Sequence, residues 1–251
     1  MTRKPGRAPR LHLDKPLHGD EIALGSRQAH YLRQVLRLKP GSTIVVFDGD
    51  GNERVAAIAK LTRQGAHLRV TEVVQPIAES ALDLHLLQAV AKADAMDLIV
   101  QKATELGVRL ISPVITEFSV VKLDAQRAAR RREHWYRIAH SACEQSGRHE
   151  PPAIDAPEPL AECLAELSTG GRRIVLDPHA EGRFGHGASV PKRGTALKLL
   201  VGPEGGFSNR ELEVAERAGF ERVGFGPRIL RVETAAIAAC ALAQALWGDI
   251  L

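Results

Sequence analysis

The 251-residue sequence is poor in aromatic residues and has no long apolar segment. Phe, Tyr and Trp together number ten, too few for an extended surface on which single-stranded bases stack. The longest apolar segment, Ala235–Trp247, is interrupted by Gln244 and is too short to cross a bilayer. Since no apolar segment follows the basic N-terminus, we expect no secretory signal.

Cysteine is also scarce. Cys143, Cys163 and Cys240 form no CxxC pair, and none stands with histidine at the spacing of a metal site. Free thiols fit a reducing, cytoplasmic environment, and we expect no metal. With 44% hydrophobic and 25% charged residues, the chain is typical of a globular protein with one large domain or two modest ones.

Positive charge is concentrated in two places, although the formal net charge is only +4. Residues 1–75 contain 13 basic and 7 acidic side chains, whereas residues 76–251 contain 21 and 23. Within the second part, Lys122–His140 has six basic and two acidic groups. Such clusters neutralise phosphates and favour RNA binding. A solvated helix face and a loose tail explain the clusters equally well, so both interpretations stay open.

The two parts also differ in secondary-structure pattern. In residues 1–75 the pattern predicts a small barrel of short strands with one helix, His30–Leu38, whose apolar set is Leu32, Val35, Leu36 and Leu38. Gln75-Pro76 is a candidate linker. Residues 76–251 alternate between strands and helices, which predicts an α/β domain with a mostly parallel sheet covered on both faces.

The strands and helices predicted for this second part are as follows. The strands are Leu82–Val90, Leu110–Ile115, Arg172–Asp177, Leu197–Gly202 and Arg222–Phe225, and the helices are Asp94–Leu106, Gln126–Ser146, the segment from Ser208 to Gly219, and Thr234–Trp247. Ser208 and Glu211 form a capping box at the start of the third helix.

Three loops are expected at the carboxyl ends of the strands, where open α/β sheets bind ligands. They are Leu176–His179, Gly202–Phe207 and Gly226–Ala235. The adjacent glycines Gly205 and Gly206 permit close approach of a ligand to the backbone, but no phosphate-loop pattern is present and Glu204 would repel a phosphate. A neutral or cationic ligand with an adenine-like ring fits better; the alternative is a glycine turn that only leads into a capped helix.

The third loop places Arg231 and Glu233 at the start of a helix. Arginine offers a planar fork for a phosphate or carbonyl oxygen, and a glutamate favours the positive helix N-terminus. The alternative is a surface ion pair that caps the helix.

Five segments, taken in order, resemble the RsmE family of SPOUT RNA methyltransferases. They are His30–Arg37 with Gly41 and Phe47–Gly49, Gln101–Val108, Cys143–Arg148, Gly202–Phe207 and Arg228–Ala235. The resemblance implies an N-terminal PUA-like β-barrel (residues 1–75, RNA-binding) followed by a SPOUT α/β methyltransferase domain (residues 76–251) with a C-terminal trefoil knot. It also implies a homodimer whose interface completes the site.

The same resemblance implies S-adenosyl-L-methionine as the cofactor, held largely by backbone groups of the three loops. The residues expected to bind it are Leu176, Gly202, Pro203, Glu204, Gly205, Gly206, Ile229, Leu230, Val232, Thr234 and Ala235. The implied reaction is methylation of the ring nitrogen at position three of one uridine in 16S ribosomal RNA, within the assembled small subunit.

Methylation at this nitrogen requires removal of its proton or stabilisation of the uracil anion. Arg231 is the first candidate for anion stabilisation, and Glu204 or Glu105 could accept the proton. Glu105 could instead pair with Lys102 or Arg109 at helical spacing.

For RNA binding we expect the barrel domain together with Arg130, Arg131 and Arg132 to contact phosphates. Arg33 and His30 are further candidates, although His30 is favoured as a packing or capping residue.

Three alternatives remain at this stage. The chain could be an RNA-binding assembly factor without catalytic activity, a SPOUT enzyme acting on another RNA position such as a ribose hydroxyl, or a metabolic nucleotide-binding enzyme. Binding of S-adenosylmethionine and the identity of the methylated atom distinguish them.

Overall fold

The protein is described by a computed structural model that covers residues 8–119, 124–168, 170–185 and 196–250. The chain divides into two compact units. The first consists of Met1–Ala78 and Cys143–Pro151, and the second of Glu79–Ala142 and Pro152–Leu251. The segment Cys143–Pro151 therefore groups with the first unit, although it lies far along the chain.

The first unit contains a five-stranded sheet in the order β1-β3-β4-β5-β2. Its strands are β1 (Arg10–His12), β2 (Glu21–Leu24), β3 (Thr43–Phe47), β4 (Glu53–Leu61) and β5 (Ala66–Val74). Only β1 and β3 run parallel; the other neighbours are antiparallel. Two register shifts between β4 and β5 bend the sheet around a core that includes Ile44, Val46, Ile58 and Leu68.

The helix of the first unit differs from the predicted one. Helix α1 (Ser26–His30) begins four residues early and continues as a π-helical turn over Tyr31–Val35. Because a π turn is wider than an α turn, the last residue within it, Val35, leaves the predicted face, whereas Leu36 and Leu38 after it pack against the core as predicted. Leu32 is fully buried as expected, but Val35 is 60% exposed, so the prediction that it lies on the buried face of the helix was wrong.

The second unit is built on a seven-stranded parallel sheet. Its strands are β6 (Asp83–Ala89), β7 (Leu110–Ile115), β8 (Ala153–Ile154), β9 (Glu158–Pro159), β10 (Arg172–Leu176), β11 (Ala196–Val201) and β12 (Glu221–Val223), and the order is β12-β10-β11-β6-β7-β8 with β9 also on β7. The helices along this part of the chain are α2 (Ala93–Glu105), α3 (Ala125–Ser146), α4 (Leu160–Glu166), α5 (Asn209–Arg217) and α6 (Val232–Trp247), and the end of α3 from Cys143 onward groups with the first unit.

Apolar side chains alternate along β6 between two cores. Leu84 and Leu86 join a core with residues of α2 and α6, whereas Leu87 and Ala89 join a core with residues of α4 and α5. The predicted parallel sheet with helices on both faces is thereby confirmed, and the two-residue strands β8 and β9 and helix α4 are additions to it. None of the helices in the described part of the chain has the length and apolarity needed to span a bilayer.

Candidate functional site

The strand register places the three loops named from the sequence at one edge of the parallel sheet. Leu176 of β10 is paired with Val223 of β12, and Val175 is paired with Leu200 of β11, so Leu176, Val223 and Val201 end their strands in one row. All three strands point the same way, and the loops that follow them leave from this carboxyl edge. Gln88 of β6 continues the row, since it pairs with Val201.

The Gly202–Phe207 loop is a tight turn packed on its neighbours. Its turn is closed by the Gly206 amide, which donates to the Pro203 carbonyl at 2.9 Å, and Gly206 has a φ of +70°. A Cβ at Gly205 would lie 2.9 Å from the Phe118 Cβ atom. Packing alone therefore requires glycine at position 205, which accounts for part of the pattern without reference to a ligand.

Glu204 connects this loop to the start of α2. Its exposed carboxylate accepts a hydrogen bond from the Lys92 amide at 3.1 Å. Lys92 is the residue before α2, where an anion interacts favourably with the helix dipole. One carboxylate oxygen is thus committed to holding the loop, and the other is available to a ligand.

The helix that follows the loop is fixed by the capping box predicted from the sequence. The Ser208 hydroxyl accepts from the Glu211 amide, and the Glu211 carboxylate accepts from the Ser208 amide at 2.9 Å. The second oxygen of Glu211 accepts from the amide of Glu117 at 2.8 Å. Glu211 therefore also ties the loop after β11 to the segment after β7, a link that the local pattern did not predict.

The loop after β10 begins with an ion pair between a buried aspartate and a half-buried arginine, which sequence reasoning missed. The Asp177 carboxylate is 2.6 Å from Nη2 of Arg222, and it accepts the His179 amide at 3.0 Å. Burial alone would raise the pKa of Asp177, but these hydrogen bonds and the nearby guanidinium hold it below the usual aspartate range. The only available signal was an aspartate directly after a buried strand.

Arg231 is the capping residue at the N-terminus of α6, and its side chain is exposed. Its guanidinium makes no hydrogen bond or ion pair to any of the described residues, so the alternative of a surface pair with Glu233 is not realised. Nearby, Ile229 is 82% exposed while Val232 is buried. The loop thus presents a free guanidinium beside an exposed apolar side chain.

Gln88 is a second residue of this edge that the sequence did not single out. Its side chain is fully buried, Nε2 donates to the Ala89 carbonyl at 3.0 Å, and Oε1 has no partner among the described residues. A buried acceptor without a hydrogen bond is costly and calls for a bound water or ligand group. A glutamine near the end of a leucine-rich strand was the available signal.

Glu105 lies away from the three loops. It ends α2, whose other end adjoins the carboxyl edge of β6, so Glu105 is at the opposite edge of the sheet. Its carboxylate pairs with Lys102 at 2.8 Å, which is one of the two structural partners expected from the sequence.

The basic residues expected to bind RNA have different environments. Arg130 is exposed and Arg131 is half-buried, whereas the Nε of Arg132 donates to the Ile154 carbonyl at 2.6 Å. In the first unit Arg33 is half-buried, with no partner for its Nε among the described residues. His30 is exposed and makes no capping hydrogen bond, so neither packing nor capping explains it.

The remaining loop residues singled out from the sequence differ in how exposed they are. Pro203 is buried, Gly202, Leu230 and Ala235 are half-buried, and Thr234 is exposed. The carboxyl edge therefore combines a turn that offers backbone groups, apolar side chains and the guanidinium of Arg231, which has no partner among the described residues. This combination suits a ligand that carries a flat ring together with polar groups, because loop amides and carbonyls can bind the polar groups.

Comparison with known proteins assigns both parts of the chain to domain families of RNA methyltransferases. Residues 78–244 match the family described as RNA methyltransferase domain, and residues 24–71 match the RNA methyltransferase PUA domain. Ribosomal RNA small subunit methyltransferase E of Buchnera aphidicola subsp. Schizaphis graminum is 31% identical over 245 residues, covering 97% of this chain and 98% of that protein. The protein of the same name from Bacillus subtilis is 30% identical over 220 residues, covering 85% and 86%.

A solved structure is similar over nearly the whole chain. The crystal structure of Ribosomal RNA small subunit methyltransferase E from Neisseria gonorrhoeae, bound to S-adenosyl methionine, is 35% identical and superposes with a TM-score of 0.89. The match covers 98% of this chain and 100% of that one.

Proposed function

We propose, since this chain belongs to the ribosomal RNA small subunit methyltransferase E family of RNA methyltransferases, that it methylates the N3 atom of a uridine in 16S ribosomal RNA with S-adenosylmethionine as methyl donor. The observation that carries the proposal is the meeting of the three signature loops at one edge of the sheet. Their residues fit the cofactor: the glycine turn offers backbone groups, and Gln88 offers a buried acceptor without a partner.

The residues proposed to hold the cofactor are Leu176, Gly202–Gly206, Ile229, Leu230, Val232, Thr234 and Ala235. Leu176 and Val232 are buried, so they would contribute backbone groups, while the exposed Ile229 would contribute its side chain. When bound, the cofactor supplies an electrophilic methyl group on its sulfonium, so the proposed reaction needs no metal ion.

The protein must then remove the proton from the uracil nitrogen or stabilise the uracil anion that forms. We assign stabilisation of the developing uracil anion to Arg231, because its guanidinium is exposed at the carboxyl edge and unpaired among the described residues. Between the two candidate proton acceptors we choose Glu204, because it lies at this edge, whereas Glu105 lies at the opposite edge and is paired with Lys102.

RNA binding is proposed to be shared between residues 1–75 and helix α3. In the first unit Arg33 and the exposed His30 would contact phosphates, and on α3 Arg130 and Arg131 are the better placed residues. Arg132 is in addition tied to the Ile154 carbonyl, so part of its role is structural. The assembled small subunit is the proposed substrate.

Two finer features of the fold, a closed barrel and a knot, are proposed because the chain belongs to this family. The curved first sheet would close as a PUA-like barrel, and the second unit would contain a trefoil knot. The parallel bridge between Arg183 and Gly224, and the approach of the Ala180 carbonyl to within 2.8 Å of a Cβ built on Gly224, support tight threading there. Residues 186–195 lie outside the described part of the chain.

The protein would act as a homodimer in the cytoplasm. Leu242 and Leu246 of α6 are 42% and 44% exposed, and Ile229 is 82% exposed beside the site. Burial of these side chains by a second copy would complete the site, and it would explain why apolar residues remain on this surface.

The test is transfer of labelled methyl from S-adenosylmethionine to purified 30S subunits and to naked 16S RNA, both from a strain lacking the modification. We expect transfer, faster with subunits. An assembly factor without catalytic activity would bind the RNA and transfer no label, and a metabolic enzyme would show no affinity for S-adenosylmethionine.

A further inference from the structure

The second unit contains a polar cavity away from the three loops. Its volume is about 470 Å³, and it lies on the face of the sheet that α4 covers. It is lined by residues of β6, β7, α4 and their adjoining loops: His85, Leu110, Ser112, Asp155, Ala156, Glu158, Cys163, Glu166, Leu167 and Ser168. The proposed methylation gives this cavity no role.

A chain of hydrogen bonds forms the inner wall of the cavity. The Ser112 hydroxyl donates to Oδ2 of Asp155 at 2.5 Å, and Nε2 of His85 is 2.7 Å from the same hydroxyl oxygen. Because the serine proton is directed to Asp155, Nε2 of His85 must carry the hydrogen and donate to Ser112. Burial, reinforced by Lys198, lowers the pKa of His85 to about 4, so the ring is neutral and its Nδ1 atom is an acceptor.

This order of groups excludes a nucleophilic serine. In a hydrolase triad the histidine accepts the serine proton and the carboxylate orients the histidine. Here the serine lies between His85 and Asp155, and its proton is held by the carboxylate. The cavity therefore contains no serine activated by this histidine, and its polar groups are arranged as binding groups.

The charged side chains that line the cavity are all acidic among the described residues. Asp155, Glu158 and Glu166 line it, and no lysine or arginine does so among the described residues. Two cations lie behind the wall and are already hydrogen-bonded: Lys198 donates to the carbonyls of Ser168 and Gly170 at 2.9 and 3.0 Å, and Arg173 donates to the Ser168 carbonyl at 3.0 Å. Because burial and Glu158 raise the pKa of Cys163 to about 12, its thiol stays protonated and neutral.

The histidine supplies an observation independent of the carboxylates. His85 is only 9% exposed, and Nε2 is its one hydrogen-bonded nitrogen among the described residues. The second nitrogen, Nδ1, is therefore an acceptor without a protein donor, on a side chain that lines the cavity. Leu110, Ala156 and Leu167 provide apolar wall between the acceptors.

We propose that this cavity binds an aliphatic di- or polyamine, with its ammonium groups on Asp155, Glu158 and Glu166, one N–H on Nδ1 of His85, and its methylene chain along the apolar wall. A molecule with two cationic donors at the ends of a short hydrocarbon chain matches this alternation of acidic and apolar groups. A neutral diol of equal length would leave the carboxylates without a charge partner.

The test is calorimetric titration of the full chain with 1,4-diaminobutane, with 1,4-butanediol and magnesium chloride as comparison ligands. We expect the diamine to bind and the diol not to bind. Glu158→Gln and Glu166→Gln should each weaken diamine binding by about tenfold, the loss of one charge-assisted hydrogen bond. Glu162→Gln, on the exposed side of α4 and outside the cavity, is the matched control and should leave the affinity unchanged.

Nitrogen-15 NMR of the histidine side chains adds a local readout that does not depend on the variants. Diamine binding should shift the Nδ1 resonance of one neutral histidine, and that resonance should be absent in His85→Gln. Absence of diamine binding, equal binding of the diol, displacement by magnesium, or equal weakening by Glu162→Gln would each overturn the proposal.

Discussion

The carboxylate of Glu204 accepts a hydrogen bond from the backbone amide of Lys92, 112 positions away along the chain, at 3.1 Å. This bond holds the glycine loop after β11 against the start of α2, and it leaves the second carboxylate oxygen without a hydrogen bond to any of the described residues. The same side chain can therefore position the loop through one oxygen and accept a proton through the other.

Glu204→Gln separates these two roles. The amide oxygen of glutamine can still accept from Lys92, but the side chain can no longer take a proton. We expect kcat to fall about 100-fold with the dissociation constant for S-adenosylmethionine nearly unchanged. Glu204→Ala should also weaken cofactor binding, because the loop loses its anchor. Glu105→Gln is the matched control at the opposite edge, and a Glu204→Gln enzyme as active as this control would refute the assignment.

Arg231→Ala removes the unpaired guanidinium at the carboxyl edge. Because its side chain makes no hydrogen bond or ion pair to the described residues, the variant should fold normally. Loss of one electrostatic contact to a developing anion costs about 10² to 10³ in kcat. Single-turnover methyl transfer measures the effect, with Arg217→Ala as a control for loss of one positive charge. A full-rate Arg231→Ala enzyme would remove Arg231 from the mechanism.

Arg130→Ala and Arg131→Ala test the RNA surface on α3. Each removed phosphate contact should reduce the slope of log affinity against log salt concentration by about one unit, without changing the cofactor dissociation constant. Arg217→Ala should leave the slope unchanged. Equal slopes for all three variants and the wild type would show that this part of α3 does not touch RNA. Arg132→Ala is less informative, because it also breaks the bond to the Ile154 carbonyl.

His85 makes stability depend on pH. Its folded pKa of about 4 lies below the ordinary value of 6.5, so the unfolded chain takes up a proton first as the pH falls. The contribution of neutral His85 is therefore complete above pH 6.5 and is lost between pH 6.5 and 4, at up to about 1.4 kcal/mol per pH unit. The free energy of unfolding, measured with urea at several pH values in this range, should change less steeply with pH for His85→Gln than for the wild type. The control is His67→Gln, which replaces an exposed histidine and should behave like the wild type. Equal slopes would contradict the buried, neutral state of His85.

Glu211→Ala removes two hydrogen bonds at once, to the Ser208 and Glu117 amides. We expect a loss of about 1 to 2 kcal/mol in the free energy of unfolding and a weaker affinity for S-adenosylmethionine, since the loop after β11 loses both attachments. Ser208→Ala removes only the reciprocal cap, so it should reduce stability by about 1 kcal/mol and affect cofactor affinity less. Equal cofactor affinities for Glu211→Ala and the wild type would show that the loop does not need this link.

Local sequence pattern was sufficient to predict most of the strands and helices of the second unit. The strands β6, β10 and β11 are short segments rich in Leu, Ile and Val, and the Ser208–Glu211 capping box depends on residues three apart, so both can be recognised without tertiary information. The two-residue strands β8 and β9 are too short to produce a periodic signal, and they form only because β7 offers them an edge.

The rest depends on contacts between residues distant in sequence. The grouping of Cys143–Pro151 with the first unit rests on bonds such as Tyr31 Oη to Glu144 at 3.1 Å, which no local pattern encodes. The same is true of the Asp177–Arg222 pair and of the unpartnered oxygen of Gln88. Sequence located the loops of the candidate site, whereas the structure was needed to separate Glu204 from Glu105, since both are glutamates in family motifs.

The most direct test of the central claim is the chemical identity of the methylated nucleoside. Small subunits from a strain lacking the modification would be incubated with the protein and labelled S-adenosylmethionine, and the 16S RNA would be digested to nucleosides for mass spectrometry. We predict label in 3-methyluridine at a single position, and none with the Arg231→Ala protein. Label on a ribose hydroxyl or on another base would contradict the proposed reaction, as would the absence of label from ribosomal RNA.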